Sequence, residues 1–133
     1  MNSVRFLYRL CVFGLSVLVV GCGSLSSSKN GGSGWAGYTQ TGEASFYGEK
    51  HQFRRTASGV LFDQNLKTAA HKKLPFGSQV KVTNVQNGKS VVVEINDRGP
   101  FVRGRVIDLS KSAFARIANT AEGVIPVHIE VLD

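Results

Sequence analysis

One aspartate stands where protein chains commonly carry a reactive side chain. Asp97 follows the apolar run of residues 91–95 and precedes Arg98 and a Gly-Pro pair at residues 99–100. A carboxylate at the point where the backbone leaves a sheet is held on a rigid support and can transfer protons. The alternative is structural, because an aspartate before Gly-Pro often organises a turn and Arg98 could pair with it. The position favours an acid–base role for Asp97 over a turn role.

The histidines do not suggest a metal centre. His51, His71 and His128 are scattered along the chain without the short spacings that metal ligands show. His71 stands beside Lys72 and Lys73, and this setting alone is typical of a surface histidine. We therefore expect neither a bound metal nor another cofactor.

A β-hairpin is predicted over residues 80–95. Residues 80–83 alternate valine with polar side chains. In residues 91–95, Val91, Val93 and Ile95 alternate with Val92 and Glu94. Asn87 and Gly88 lie between the two runs and predict a type I′ turn, in which both central residues have positive φ. The two strands are thus expected to be antiparallel neighbours, with Asp97 just beyond the second.

Three further segments have the pattern of short strands. Residues 127–131 alternate apolar and polar side chains, and Pro126 is expected at the start of that strand or on an edge because it lacks an amide donor. Residues 42–48 and 105–109 are predicted as shorter strands.

One short helix is predicted after residue 110. Ser110 is a suitable N-cap, and Ala113, Phe114 and Ile117 form an apolar stripe before Asn119. Several short strands with one helix, no repeats and no alternation of strands with helices predict an all-β chain folded as a small closed barrel.

The N-terminus has the pattern of an export signal. Arg5 and Arg9 precede an uncharged run of 11 residues at 10–20, which is too short for a membrane span of about 20 residues. The letters VVGC at residues 19–22 resemble a bacterial lipobox, in which the cysteine is acylated and becomes the first mature residue. The alternative is an ordinary signal peptide that ends near an unrelated cysteine.

Three regions follow from this interpretation: a signal peptide at 1–21, a lipidated Cys22 with a linker at 22–41, and a folded domain at 42–133. Ten of the nineteen residues after Cys22 in this linker are Gly or Ser. Cleavage removes Cys11, so no disulfide is expected. Glycine rather than aspartate after the cysteine predicts a lipid anchor on the periplasmic face of the outer membrane.

The charge of the folded domain is modest. The chain of 133 residues carries +7, and without Arg5, Arg9 and Lys29 the domain has 13 basic and nine acidic residues, or +4. This balance is typical of an ordinary solvated surface. Because export places the chain away from nucleic acid, nucleic acid is not an expected partner.

Seven ordered motifs together resemble the rare lipoprotein A family. They are GEASFYG at 42–48, TASG at 56–59, TAAH at 68–71, LPFG at 74–77, VTN at 82–84, NDRGPF at 96–101 and IDLS at 107–110. The resemblance covers essentially all of residues 42–133. It implies a six-stranded double-psi β-barrel with one or two short helices.

The resemblance also implies a lytic transglycosylase that acts on peptidoglycan glycan strands without stem peptides. In this reaction one acid protonates the glycosidic oxygen and then takes a proton from the C6 hydroxyl of the same sugar. That hydroxyl attacks the anomeric carbon and leaves a 1,6-anhydromuramyl end. Because the nucleophile is intramolecular, no second carboxylate is needed to activate water.

Site residues follow from the motifs. Asp97 matches the family's proposed catalytic aspartate, and His71 matches its site-forming histidine, which would hydrogen-bond the carboxylate or the substrate. Substrate-binding roles are predicted for Tyr47 and Phe101, as platforms for sugar rings, and for Arg98, as a partner of acidic groups.

One residue departs from the family pattern. The family commonly has glutamate directly after TASG, where this chain has Val60, and valine cannot transfer protons. Asp63 could supply a carboxylate, with a turn cap as the equal alternative. Glu94 is another nearby acid whose face of the strand the pattern does not fix. Activity would then depend on Asp97.

The second departure is the C-terminus, where longer relatives carry a SPOR domain that recognises denuded glycan. The chain stops at Asp133, so a barrel-only member is expected, and septal targeting does not follow from the resemblance. The alternative function is an expansin-like lipoprotein that binds peptidoglycan without cutting it. In either case the expected partners are glycan strands and a membrane, and the expected state is a monomer.

Overall fold

The computed structural model describes residues 34–133, and the predicted signal peptide and Cys22 lie outside the described residues. None of the helices in this part of the chain is long and apolar enough to cross a membrane. The elements are β1 (Thr39–Phe46), a 3-10 turn (Glu49–His51), β2 (Thr68–Ala70), β3 (Gln79–Asn84), β4 (Ser90–Asp97), β5 (Arg105–Leu109), α1 (Lys111–Ile117), a second 3-10 turn (Thr120–Glu122) and β6 (Ile125–Val131).

The six strands close into a barrel in the order β1-β5-β2-β4-β3-β6. Two neighbouring pairs are parallel, β1 with β5 and β2 with β4, and the remaining neighbours are antiparallel. The predicted closed barrel of six strands is confirmed. Because a closed barrel has no free edge, each strand's amides are paired on both sides.

The hairpin is confirmed but its turn differs from the prediction. β3 and β4 pair antiparallel, with Thr83 opposite Ser90. Gly88 has φ +75°, whereas Asn87 does not have positive φ, so the predicted type I′ turn is wrong. The loop is longer than two residues, since the Gly88 amide donates to the Asn84 carbonyl oxygen and the Asn84 amide to that of Lys89. Only one left-handed residue is needed in such a loop.

Alternating side chains fill the barrel. β6 is confirmed, with Val127, Ile129 and Val131 buried and Pro126 as its second residue. β4 shows the same alternation from Val91 to Ile95 and then breaks it, because two consecutive residues are buried before Asp97. The register between β2 and β4 shifts at this place. The irregularity sets the orientation of the Asp97 side chain.

The helix is confirmed with its predicted cap. The Ser110 hydroxyl accepts a hydrogen bond from the Ala113 amide, and Ala113, Phe114 and Ile117 are buried. The Phe114 ring packs against Phe46 of β1, with ring centroids 4.7 Å apart. The apolar face of the helix thereby packs against the barrel.

The start of β1 and the presence of β2 are the two largest differences from the sequence interpretation. β1 begins at Thr39 rather than Gly42, so residues 39–41 of the predicted linker pair with β6. Their polar side chains gave no alternating pattern, and the pairing with residues 128–130 places them in the sheet. β2 has only three residues, all buried, and was not predicted because so short a run has no periodicity.

Candidate active site

The Asp97 carboxylate lies at the end of β4 and is held by three donors. Its Oδ1 accepts hydrogen bonds from the amides of Ala57 (2.8 Å) and Arg98 (2.9 Å). Its Oδ2 accepts one bond, from the Tyr47 hydroxyl at 2.7 Å. A carboxylate oxygen has two lone pairs, so Oδ2 keeps one free position for a substrate. The side chain is half-buried.

Tyr47 acts as a hydrogen-bond donor to Asp97. Burial raises the pKa of its phenol well above the ordinary value, and the hydrogen bond to Asp97 and the charges of Asp97 and Asp108 act in the same direction. The phenol therefore keeps its proton at neutral pH. Its ring packs against Phe62, with centroids 4.4 Å apart. The predicted role of this ring as a sugar platform stays a prediction.

His71 is buried and makes no hydrogen bond to the Asp97 side chain. Its Nδ1 accepts from the amides of Lys73 and Leu74, both at 3.1 Å, so the proton lies on Nε2, which faces Gln40 Oε1 at 2.9 Å. Burial first, and then the positive charges of Arg98, Lys72 and Lys73, lower the pKa of His71 to about 4. A surface position for this residue is thus wrong. Of the two hydrogen bonds predicted as alternatives, the one to the Asp97 carboxylate is not made, and the one to the substrate stays a prediction.

The connection between His71 and Asp97 runs through the backbone. The His71 amide donates to the Asp97 carbonyl oxygen at 3.1 Å. The neutral imidazole caps the turn that follows it, and that turn fixes the end of β2 beside β4. The arrangement gives His71 a positioning role in the site.

Arg98 does not neutralise Asp97. Its guanidinium donates to the carbonyl oxygens of His71 (3.2 Å) and Leu74 (2.9 Å) and lies 4.0 Å from the centroid of the Phe76 ring. Within residues 34–133 no ion pair joins Arg98 to Asp97. The alternative that Arg98 pairs with this carboxylate is therefore wrong. Its predicted contact with acidic groups of a substrate stays a prediction.

Asp108 is a site residue that the sequence analysis quoted in a motif but gave no role. In the strand register Ala70 of β2 lies opposite Asp97 on one side and Asp108 on the other, and Asp108 lies opposite Ser45 of β1. Two strand spacings put the two aspartate Cα atoms about 10 Å apart on one row. The Asp108 carboxylate accepts from the Ser45 hydroxyl at 2.7 Å and pairs with Arg105. The signal in the sequence that could have identified Asp108 was a polar residue between Ile107 and Leu109, which are both buried.

Asp63 has the turn role that was one of its two predicted alternatives. Its Oδ1 accepts from the Asn65 amide at 2.9 Å and from the Gln52 side chain at 3.3 Å. The hydrogen bond from Asn65 and then that from Gln52 hold the pKa of this carboxyl below its usual range. The group is ionised at neutral pH and has no proton to give.

Val60 and Glu94 line the same groove, which has a volume of about 470 Å³. Glu94 lies on the outer face of β4 and is exposed, and Val60 is 51% exposed. The groove begins beside the Asp97 carboxylate. The Ser58 amide donates to the Asn96 carbonyl oxygen, and both residues line the groove next to the contact between Ala57 and Asp97. The face of Glu94, which the sequence left open, is thus the groove face.

Phe101 is the most exposed large apolar side chain in the described residues, at 82%. It follows the Gly-Pro pair after Asp97, and its ring lies over Gly99. An exposed aromatic ring four residues after Asp97 in the chain is compatible with the predicted sugar platform, which stays a prediction. Within residues 34–133 no three His, Cys, Asp or Glu side chains are grouped as they would be around a metal ion.

A family described as lytic transglycolase matches residues 39–129. The match covers β1 to β5 in full and β6 except for its last two residues, and it includes each of the site residues described above. The predicted double-psi β-barrel is confirmed by this family and by the solved structures that share the fold.

Curated relatives match over the barrel. The chain is 52% identical over 97 residues to the endolytic peptidoglycan transglycosylase RlpA of Pasteurella multocida, covering 73% of this chain and 33% of that protein. It is 58% identical over 93 residues to the probable endolytic peptidoglycan transglycosylase RlpA of Nostoc, covering 68% and 25%. The chain therefore spans about a quarter to a third of the length of these relatives.

Solved structures share the fold at lower identity. The Streptomyces papain inhibitor superposes with a TM-score of 0.60 at 26% identity, covering 74% of this chain and 97% of the inhibitor. A mutant expansin of Clavibacter michiganensis in complex with cellohexaose superposes with a TM-score of 0.57 at 20% identity, covering 71% and 50%. The likeness to the expansin concerns the fold alone.

Proposed function

Since this chain belongs to the lytic transglycolase family, we propose that it cleaves peptidoglycan glycan strands that lack stem peptides and leaves 1,6-anhydromuramyl ends. The observation that carries the proposal is the Asp97 carboxylate, fixed by two amides and the Tyr47 hydroxyl with one position of Oδ2 free. The relatives that match the barrel are named endolytic or probable endolytic peptidoglycan transglycosylases, which supports the proposal.

The proposed reaction uses Asp97 first as an acid and then as a base. Its Oδ2 gives a proton to the glycosidic oxygen while the bond from that oxygen to the anomeric carbon breaks. The C6 hydroxyl oxygen of the same sugar bonds to the anomeric carbon and returns its proton to Oδ2. No water is consumed, and the carboxyl ends in its starting state. The three donors keep Oδ1 and Oδ2 in one orientation throughout, which is the geometric requirement for such a transfer.

Tyr47 supports this step as a hydrogen-bond donor to Asp97. The Tyr47 hydroxyl orients Oδ2, and its raised pKa keeps it a donor rather than a competing base.

Mass spectrometry of digested glycan tests the proposal. Denuded glycan strands incubated with the protein should yield fragments that end in 1,6-anhydromuramic acid, and strands that keep their stem peptides should yield fewer. Binding of the protein to denuded glycan without anhydro products would refute cleavage and leave the expansin-like binding function. Hydrolysed, reducing ends in place of anhydro ends would also refute it.

Replacing Val60 by glutamate is expected to raise the rate of anhydro-end formation. The Val60 carbonyl oxygen accepts a hydrogen bond from the Thr56 hydroxyl and so closes a short loop. The same loop contains Ala57, whose amide donates to Asp97. A glutamate at residue 60 therefore places a second proton-transfer group near the Asp97 carboxylate. A positioned acid–base group contributes about 100-fold in favourable cases. Initial rates on denuded glycan would be compared for wild type, Val60→Glu and Val60→Gln. The glutamine variant has nearly the same size but cannot act as an acid or a base, and an equal gain in both variants would contradict the explanation.

We also propose that the chain is anchored by acyl chains on Cys22 at the periplasmic face of the outer membrane. Support comes from the basic start, the apolar run of residues 10–20 and the VVGC letters at 19–22. Metabolic labelling with radioactive palmitate should mark the wild-type protein. Cys22→Ser should abolish the label, and label retained in that variant would refute the proposal.

A further inference from the structure

A pocket of about 290 Å³ lies where the start of β1, the end of β2 and the start of β5 meet. It shares no lining residue with the groove beside Asp97, and the proposed reaction does not use it. The residues that line the pocket are Tyr38 and Gln40 from the start of β1, Val106 from β5, and His71, Lys72 and Lys73 from the segment after β2.

The buried His71 ring fixes the orientation of the Gln40 side chain. Because Nδ1 of the ring accepts from two amides, Nε2 carries the proton and donates to Gln40 Oε1 at 2.9 Å. The NH2 group is the other polar group of Gln40, and it has no acceptor within residues 34–133. An amide NH2 group has two donors, so the pocket offers them to a ligand.

Two ammonium groups make the pocket positive. Lys72 and Lys73 are exposed, and neither takes part in an ion pair in the part of the chain that the structure describes. Burial first, and then the charges of Arg98, Lys72 and Lys73, lower the pKa of His71, so both lysine charges act at the base of the pocket. No aspartate or glutamate is among the described residues that line it. Donors and positive charge without a carboxylate of the protein favour an anionic ligand.

An apolar wall stands beside these donors. The Tyr38 ring and the Val106 side chain line the pocket and stay partly exposed. Trp35 holds the Tyr38 ring in place, because the two rings meet edge to face with centroids 5.2 Å apart and Trp35 packs against the barrel core. A fixed apolar surface next to charged donors suits a small organic acid better than a bare inorganic ion.

We infer that this pocket binds a carboxylate whose adjacent carbon bears a methyl group. The carboxylate oxygens accept from the Gln40 NH2 group and from the ammonium groups of Lys72 and Lys73. The methyl group covers part of the surface of Tyr38 and Val106. Peptidoglycan, which enters here only through the proposed function, offers this group in two places: the lactyl carboxylate of muramic acid without a stem peptide, and the terminal alanine of an intact stem peptide.

NMR titration of the full, isotope-labelled chain in detergent tests the inference. The ligands are N-acetylmuramic acid and N-acetyl-D-alanyl-D-alanine, neither of which has a glycosidic bond to cleave. We expect at least one of them to shift the Gln40 NH2 signals saturably and to bind about tenfold more tightly than its methyl ester, which lacks the charge. The acid that does so identifies the source of the carboxylate. No shift of these signals with either acid, or equal affinity for the acids and their esters, would overturn the inference.

Variants of the two lysines separate this pocket from a general attraction of anions. Lys72→Gln combined with Lys73→Gln should weaken binding at least about tenfold, whereas arginine at both positions keeps the charge and should keep binding. The matched control combines Lys81→Gln with Lys89→Gln, which removes two exposed lysines of β3 and its hairpin loop, and it should bind like wild type. Binding that persists in the first pair, or that is lost equally in the control, would contradict the site.

The pocket and the proposed reaction can fail separately. Anhydro ends formed by a protein that binds neither acid would refute the pocket and leave the reaction. Binding of an acid by a protein that forms no anhydro ends would support the pocket and refute only the reaction.

Discussion

Asp97→Asn is expected to reduce the formation of anhydro ends by at least about 100-fold while the barrel stays folded. Asparagine keeps an oxygen that can accept from the Ala57 and Arg98 amides, so the loop contacts survive. It has no proton to give to a glycosidic oxygen and no anionic oxygen to take one back. The loss should appear in the turnover number rather than in the affinity for denuded glycan, because the shape of the site is retained.

The measurement is the initial rate of anhydromuramyl release, with a melting curve for each variant. Asp63→Asn is the matched control, since its carboxylate sits in a turn and is bonded to Asn65 and Gln52 rather than to site residues. Its activity should be unchanged. Tyr47→Phe removes one donor from Oδ2, and an intermediate loss of about tenfold is expected. Full activity in Asp97→Asn would refute the assignment of Asp97 as the acid–base residue. Asp108→Asn would then be the next variant to measure.

The strands and the helix whose apolar side chains recur with a regular period were predictable from the sequence. The alternation in residues 80–95 and 127–131 and the capped apolar stripe of the helix each specify an element by local chemistry. β2 was missed because three buried residues have no period, and the start of β1 was missed because its polar residues join the sheet only through β6. The type I′ turn was wrong because the dipeptide signal does not specify the length of the loop.

The site residues, too, were predictable only where a local pattern specifies them. Asp97 was identified because it ends a clear strand, and its position needs no knowledge of distant segments. Its partners come from elsewhere, since Ala57 and Tyr47 are 40 and 50 residues away in the chain. Asp108 joins the site only through the parallel pairing of β5 with β1 and its contact with β2. Long-range pairing has no signature in a single sequence, so the acid was predictable and its surroundings were not.

His71 sits among lysines in the sequence and is buried in the barrel, and this contrast predicts a strong dependence of stability on pH. The folded state lowers the pKa of His71 from 6.5 to about 4. Between these values the unfolded chain binds a proton at His71 and the folded chain does not, so stability rises with pH across the interval. The contribution is fully present above about pH 6.5 and is lost as pH falls toward 4. A shift of this size corresponds to about 3 kcal/mol.

Urea unfolding of the wild-type protein at several pH values between 4 and 7 measures this contribution. His71→Asn should be less stable at pH 7 and should lose most of the slope in this interval, because asparagine keeps an acceptor for the Lys73 and Leu74 amides but does not titrate. His128→Asn is the matched control and should keep the slope. The charged groups that face His71 are Arg98, Lys72 and Lys73, and its Nε2 faces the neutral Gln40 side chain.

The same variants separate a positioning role for His71 from a catalytic one. A neutral histidine with its proton fixed on Nε2 by Gln40 does not exchange protons with substrate at neutral pH, so it should contribute no limb to the pH–rate profile. His71→Asn should therefore lower the rate at every pH by a similar factor, because the turn that orients Asp97 through the His71 amide is loosened. A variant that removes one limb of the profile and leaves the stability slope intact would show that His71 transfers protons, against the buried and hydrogen-bonded arrangement found here.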